Sequence, residues 1–130
     1  MKPELIYLVW TTIFTGLLWV PYVLDRAARW GIADTVGYPD APKSQSPWAR
    51  RMKAAHANAI ENLVVFAVLV LVAAQLGISN PATLFAASLY FWARVVHLIA
   101  YTLAIPWVRT LAFVGGFVAQ AIFAWQILVR

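Results

Sequence analysis

There is no cysteine among the 130 residues of this chain. That excludes disulfides, thiolate metal sites and a protein-borne thiol nucleophile, so any sulfur chemistry must use a ligand's sulfur. Charge is also scarce, at 12% of residues against roughly 25% in an ordinary soluble domain. Only five acids and two histidines, His56 and His97, are present, and they form no cluster at metal-ligand spacing, so no metal site is expected. The net charge of +5 does not indicate nucleic acid, because the basic residues do not form a solvated stripe interleaved with aromatics. No internal repeat or low-complexity segment is evident.

Apolar residues fill the space that charge leaves. They make up 63% of the chain, and the mean hydropathy is +0.75, a composition suited to lipid. Seven Trp, seven Phe and five Tyr are a heavy load for a small soluble core but ordinary for membrane helices, which carry aromatic rings at headgroup level. Trp10, Trp19, Trp107 and Trp125 read as such interfacial or packing residues.

The run from Leu5 to Leu24 is uncharged and long enough, at about 1.5 Å per residue, to cross a hydrocarbon core of about 30 Å. It lacks a basic leader beyond Lys2 and a small-residue cleavage pattern, so a span is expected there and not a removable signal. Pro21, one turn before its end, is a place for a bend. From Asp25 to Pro47 the chain turns polar and proline-containing, and the expectation is an extended loop. A second helix follows from about 49 to 76, its first half polar and its second half apolar but for Gln75. Gly77 and Asn80-Pro81 mark a turn. A third helix runs from about 82 to 104, and Pro106 separates it from a fourth over about 107 to 129. The fold class expected is all-α, a single domain over residues 1–130 built as an up-and-down integral membrane four-helix bundle. Small residues such as Ala73, Ala74, Gly115, Gly116 and Ala119 would let its helices approach closely.

Arg26, Arg29, Lys43, Arg50, Arg51 and Lys53 flank the first connection and Arg109 the third, while Lys2 and Arg130 mark the other face. By the positive-inside rule those connections are cytoplasmic. The localisation expected is a bacterial inner membrane, spanned several times, with both termini periplasmic.

Polar side chains inside a span cost about 2.5–3.5 kcal/mol for a charge at a helix centre, so each needs a partner or a purpose. On the third helix Arg94, His97 and Tyr101 recur at offsets of three and seven, with Tyr90 one turn earlier, on one stripe that should face protein. On the second, Arg51, Asn58 and Glu61 recur at offsets of seven and three. Glu61 is thus placed to pair with Arg94 or Arg51, with Asn58 supplying amide hydrogen bonds and Arg109 joining the same layer. Two readings stay open: a buried Glu61–Arg94 ion pair that fixes helix register, or a layer whose surplus positive charge receives an anionic ligand. Singly, His97, Tyr90 and Tyr101 read more naturally as packing residues than as acids or bases.

Arg51 with His56-Ala57-Asn58-Ala59-Ile60-Glu61-Asn62, followed by Arg94-Val-Val-His97-Leu-Ile-Ala-Tyr101, resembles the MAPEG family, the membrane-associated proteins of eicosanoid and glutathione metabolism. The resemblance covers nearly the whole chain. It implies a homotrimer of four-helix subunits with glutathione as co-substrate between neighbours, toward the cytoplasmic side. It further implies that Asn58 and Glu61 hold the glutathione backbone, Glu61 through the ammonium group, while Arg51, Arg94, His97 and Tyr101 line or support the pocket. Arg109 matches the arginine placed near the glutathione sulfur, where a cation favours the thiolate, and Thr110 adds a hydroxyl. Two positions depart from the pattern. Ala54 stands where glutathione-binding members commonly carry an arginine, and Phe113 where a tyrosine is often found. The activity this implies is a glutathione transferase or peroxidase acting on lipophilic substrates from the bilayer; the alternative is a non-catalytic, lipid-presenting relative. A four-helix multidrug transporter would carry its acid in the first span, and Leu5 to Leu24 has none.

Overall fold

Proline opens each of the four long helices, at the first position, where its missing N–H goes unused and its fixed φ suits the helix. In the computed structural model, which describes residues 1–41 and 43–129, these helices are α1 (Pro3–Leu17), α4 (Pro47–Gln75), α5 (Pro81–Thr102) and α6 (Pro106–Leu128). Between α1 and α4 lie α2 (Trp19–Trp30) and the short α3 (Ile32–Val36). No strand occurs among the described residues. Four stretches are long and apolar enough to cross a membrane: Pro3–Trp30, Pro47–Gln75, Pro81–Thr102 and Pro106–Leu128.

The expected loop from Asp25 to Pro47 is in part helical. Pro21 has no N–H to offer the Leu17 carbonyl, and only a single-residue hitch at Leu18 separates α1 from α2. The Asp25-Arg26-Ala27-Ala28-Arg29 run is made of helix formers with an i,i+4 pair of opposite charge, and helix continues to Trp30. Its charges read as loop because they follow the apolar run. What remains of the loop is tied back, with Ser46 N donating to Asp25 Oδ2 at 3.0 Å and Arg29 Nε to Ser46 Oγ at 2.8 Å.

The third helix ends at Thr102, short of the expected Ala104. Ile105, preceding Pro106, is forced extended. Ala104 takes φ 60, and Ile105 N donates to Ala100 O at 2.8 Å and Ala104 N to Tyr101 O at 3.2 Å, which closes the helix. Gly77, at φ 72, does the same for α4, with Ile78 N on Ala73 O and Gly77 N on Ala74 O. Asn80 caps α5: its Oδ1 accepts from Ala82 N and Thr83 N, both at 3.0 Å, while Thr83 Oγ1 accepts from Asn80 N.

α4 and α5 form the centre, each packed against both α1 and α6, which lie on opposite sides of the pair. The α5–α6 contact is the most extensive, because small residues line it: a Cβ added at Gly116 would meet the Tyr90 ring at 3.7 Å, and one at Gly115 the Ala93 Cβ at 3.6 Å. Phe66 of α4 stacks on Tyr90 of α5 at 3.8 Å between ring centroids and meets Phe123 of α6 edge-on at 5.9 Å. In lipid the solvent outside a bundle is as apolar as its inside, so this close packing, and not burial from water, holds the helices together. Many large apolar side chains, such as Val64, Leu71, Leu111 and Phe117, accordingly point outward. Thr11 and Thr15 donate to carbonyls one turn back, which satisfies their hydroxyls inside the span.

At the end where the chain begins, Glu4 is buried and accepts from Ser79 Oγ at 2.9 Å and Thr83 Oγ1 at 2.7 Å. Asn80 Nδ2 donates to Gln126 Oε1 at 2.8 Å. Those bonds tie α1, the α4–α5 turn, α5 and α6 together and require the alternating, up-and-down course.

Candidate functional site

The opposite half of the bundle holds a second polar layer, formed where α4, α5 and α6 meet. Arg94 and His97, one turn apart on α5, are only 4% and 3% exposed; the 3.6-residue period that places them on one stripe turns that stripe inward. Arg94 Nη2 donates to Asn58 Oδ1 of α4 at 2.8 Å and lies 3.4 Å from His97 Nδ1. A guanidinium offers only donors, so this second contact requires an unprotonated Nδ1 and leaves the imidazole proton on Nε2. Asn62 Nδ2 donates to the Asn58 carbonyl at 2.9 Å and reaches its Oδ1 at 3.3 Å. Gln120 of α6 in turn donates to Asn62 O at 3.2 Å. Asn62 and Gln120 carry no signal in spacing alone that links them to Arg94.

Toward the α5–α6 turn, His97 meets Tyr101 edge-on at 5.7 Å and the Phe113 ring at 6.2 Å. The Arg109 guanidinium sits 5.1 Å from the Tyr101 ring centroid, a cation–π contact. The tight turn through Ala104 and Pro106 makes this possible, since it brings the first turn of α6 back beside the last turns of α5. Asn58, His97, Tyr101, Arg109, Thr110 and Phe113 line a recess of about 270 Å³. A smaller hollow of about 180 Å³ lies on the other side of Tyr101 and Arg109 and reaches Arg51. The Thr110 hydroxyl donates to Pro106 O at 3.0 Å, so its proton is occupied and its lone pairs face outward.

Glu61 does not make the ion pair expected of it. Arg51 Nε donates instead to the Thr102 carbonyl at 2.9 Å, Arg94 is held by Asn58, and Glu61 is exposed. Three residues turn an α-helix by about 300°, which carries Glu61 about 60° out of the α4–α5 seam that Asn58 occupies. Among the described residues the one ion pair of opposite side chains is Arg29–Asp25, at 3.7 Å. None of Arg51, Arg94 and Arg109 has a carboxylate bound to it among the described residues, and Arg94 Nε has no hydrogen-bond partner there. A buried cation without a counter-ion is costly.

A family model, that of the MAPEG family, matches residues 7–129 of the chain. The chain belongs to the MAPEG family. No curated protein and no solved structure matches it. Membership makes it a membrane protein of glutathione or eicosanoid metabolism; MAPEG proteins work with glutathione and are generally oligomeric. In this MAPEG chain the residues that carry the resemblance, from Arg51 on α4 to Arg109 and Thr110 on α6, lie in the half of the bundle that also holds the recess. Glu61 stands apart from them on the outer face of α4. Among the described residues no group of three or more His, Cys, Asp or Glu is arranged to hold a metal.

Proposed function

We propose that the protein is a glutathione transferase or glutathione-dependent peroxidase that joins a glutathione thiolate to lipophilic electrophiles, or uses it to reduce lipophilic hydroperoxides, drawn from the bilayer. The observation that carries this reading is the recess lined by Asn58, His97, Tyr101, Arg109 and Thr110, with Arg51 in the adjoining hollow, Arg94 bonded to Asn58 behind it, and no carboxylate on any of the three arginines among the described residues. Glutathione has two carboxylates, one ammonium and one thiol. Arg51 and Arg94 suit the carboxylates, with Asn58 and Tyr101 as hydrogen-bonding groups and His97 supporting them. Glu61, exposed and unpaired, suits the ammonium once a neighbouring subunit of a homotrimer closes over α4. Arg109 then stands by the sulfur. Its positive charge raises the thiolate fraction at neutral pH, and Thr110, whose proton is already bonded to a backbone carbonyl, leaves that task to the arginine. The thiolate displaces a leaving group from an electrophile, or attacks a hydroperoxide oxygen so that the O–O bond breaks, the alcohol leaves after taking up a proton, and a second glutathione converts the resulting sulfenic acid to the disulfide and water; the protein supplies proximity and a fixed charge more than proton transfer. The cytoplasmic placement of this half of the bundle, in a bacterial inner membrane with periplasmic termini, belongs to the same reading.

Phe113 favours a second reading. It presents a hydrocarbon edge where a hydroxyl would help bind polar ligand atoms, and with Ala54 in place of an arginine it suits a non-catalytic, lipid-presenting protein. Turnover decides between the two. Purified protein in lipid, given glutathione with a chloronitrobenzene or with an organic hydroperoxide, is expected to consume one of them, and Arg109→Ala to lower the rate about a hundredfold. Turnover of neither, by intact oligomeric protein, would leave the lipid-presenting reading in front.

A further inference from the structure

The α2–α3 segment takes no part in the recess, and its composition calls for a separate account. From Pro3 to Trp30 the first span has 28 residues, about 42 Å of helix against a hydrocarbon core of about 30 Å. Its last turns therefore stand at headgroup depth, beside the start of α4, where the Tyr22 hydroxyl lies 2.8 Å from His56 Nδ1. There Gly31 redirects the chain. Its φ of 82 and ψ of 160 fall in a region open essentially to glycine alone. Past it, Ile32 and Val36, one turn apart on α3, are 76% and 77% exposed, and Tyr38 is fully exposed. Asp34 projects from the opposite side of the same turn. α3 packs against α2 and leaves its apolar stripe uncovered.

On α2 the Arg26 guanidinium lies 4.9 Å from the Trp30 ring centroid. Arg26 Nε and Trp30 Nε1 are both shut off from water with no hydrogen-bond partner among the described residues. Arg29, one turn from Asp25, is by contrast occupied by Asp25 and Ser46. Swinging Arg26 off the ring gives up one weak contact and presents two N–H donors to a single acceptor. From Asp25 to Lys53 there are six basic residues and three acids, and Lys43, Arg50 and Lys53 are exposed.

We infer that α2 and α3 form a binding site for anionic phospholipid, in which Arg26 and Trp30 hold the headgroup phosphate while Ile32, Val36 and Tyr38 lie in the interface. Exposed apolar and aromatic side chains beside unpaired basic ones are what the boundary of a negatively charged leaflet selects. A second copy is a poor occupant, since it would bring together the exposed Lys43, Arg50 and Lys53 that follow the segment. The inference rests on the membrane placement and holds whatever the recess binds.

Because the chain lacks cysteine, single-cysteine spin labels at Val36→Cys and Asp34→Cys report on this segment alone. In vesicles of phosphatidylcholine with phosphatidylglycerol, the Val36 label is expected to be relaxed by oxygen and shielded from a water-soluble nickel chelate, and the Asp34 label the reverse. In native mass spectrometry the protein should retain phosphatidylglycerol over phosphatidylcholine, with Arg26→Gln lowering that preference about fivefold and Lys2→Gln, at the other face, leaving it unchanged. Chelate reaching both labels equally, both agents excluded from Val36 by a covering protein, or Arg26→Gln retaining phosphatidylglycerol like wild type would each overturn the proposal.

Discussion

The bundle has two polar layers, and they are built on opposite principles. At the end that holds Glu4, each charged or amide group named above meets a complementary one: the carboxylate accepts from Ser79 and Thr83, and Asn80 caps α5 while donating to Gln126. In the layer of Arg94, Asn58, His97 and Arg109, two arginines sit without a carboxylate among the described residues, and the one nearby acid, Glu61, faces away. The first layer is closed and holds the fold. The second is open, and in the function proposed above its unmet charge receives glutathione.

Substitutions can separate the two by sign. Glu4→Ala removes the acceptor of two hydrogen bonds, one of them fully buried, and is expected to cost about 3 kcal/mol of stability, while leaving glutathione affinity unchanged; thermal melting with and without ligand reads both. Arg94→Leu should do the reverse. It removes an uncompensated cation and is expected to raise the stability of the ligand-free protein by about 1 kcal/mol, while weakening glutathione binding at least about tenfold. Should both variants destabilise equally, the contrast between the layers is lost. Asn80→Ala unmakes a helix cap at the closed end and should lower stability by about 1 kcal/mol, visible in the same melts and without effect on turnover. The smallest effect is expected at Ala104, whose φ of 60 glycine adopts without strain. Ala104→Gly should stabilise by about 0.5–1 kcal/mol if the turn keeps its shape, and unchanged turnover would show that Arg109 stays in place.

Much of the open layer was legible in the sequence, and little of the closed one. Arg94, His97 and Tyr101 lie on a single helix, where spacing alone fixes that they share a face. Asn58 and Arg109 come to that face through the alternating course of long apolar helices, which composition also dictates. The expected pairing of Glu61 with Arg94 or Arg51 does not form, because spacing gives the angle between two residues of a helix but not the helix's rotation against its neighbours; tertiary packing sets that. Glu4, Ser79 and Gln126 lie far apart in the chain, at helix ends where no period operates, so their meeting had no signal. The helical stretch from Asp25 to Trp30 was hidden for another reason: charge beyond an apolar run marks the membrane boundary, and a helix does not have to stop there. The Asn80 cap and the prolines at helix starts, by contrast, are local chemistry, and they put the turns within a residue or two of where they were expected.

Whether glutathione completes the open layer is decided most directly by calorimetric titration of the purified protein. Wild type is expected to bind glutathione saturably, and a Glu61→Ala, Arg109→Ala double variant, with its packing helices intact, to show no saturable heat. An absence of binding by folded, oligomeric wild type up to about 10 mM glutathione, or equal binding by the double variant, would contradict the account.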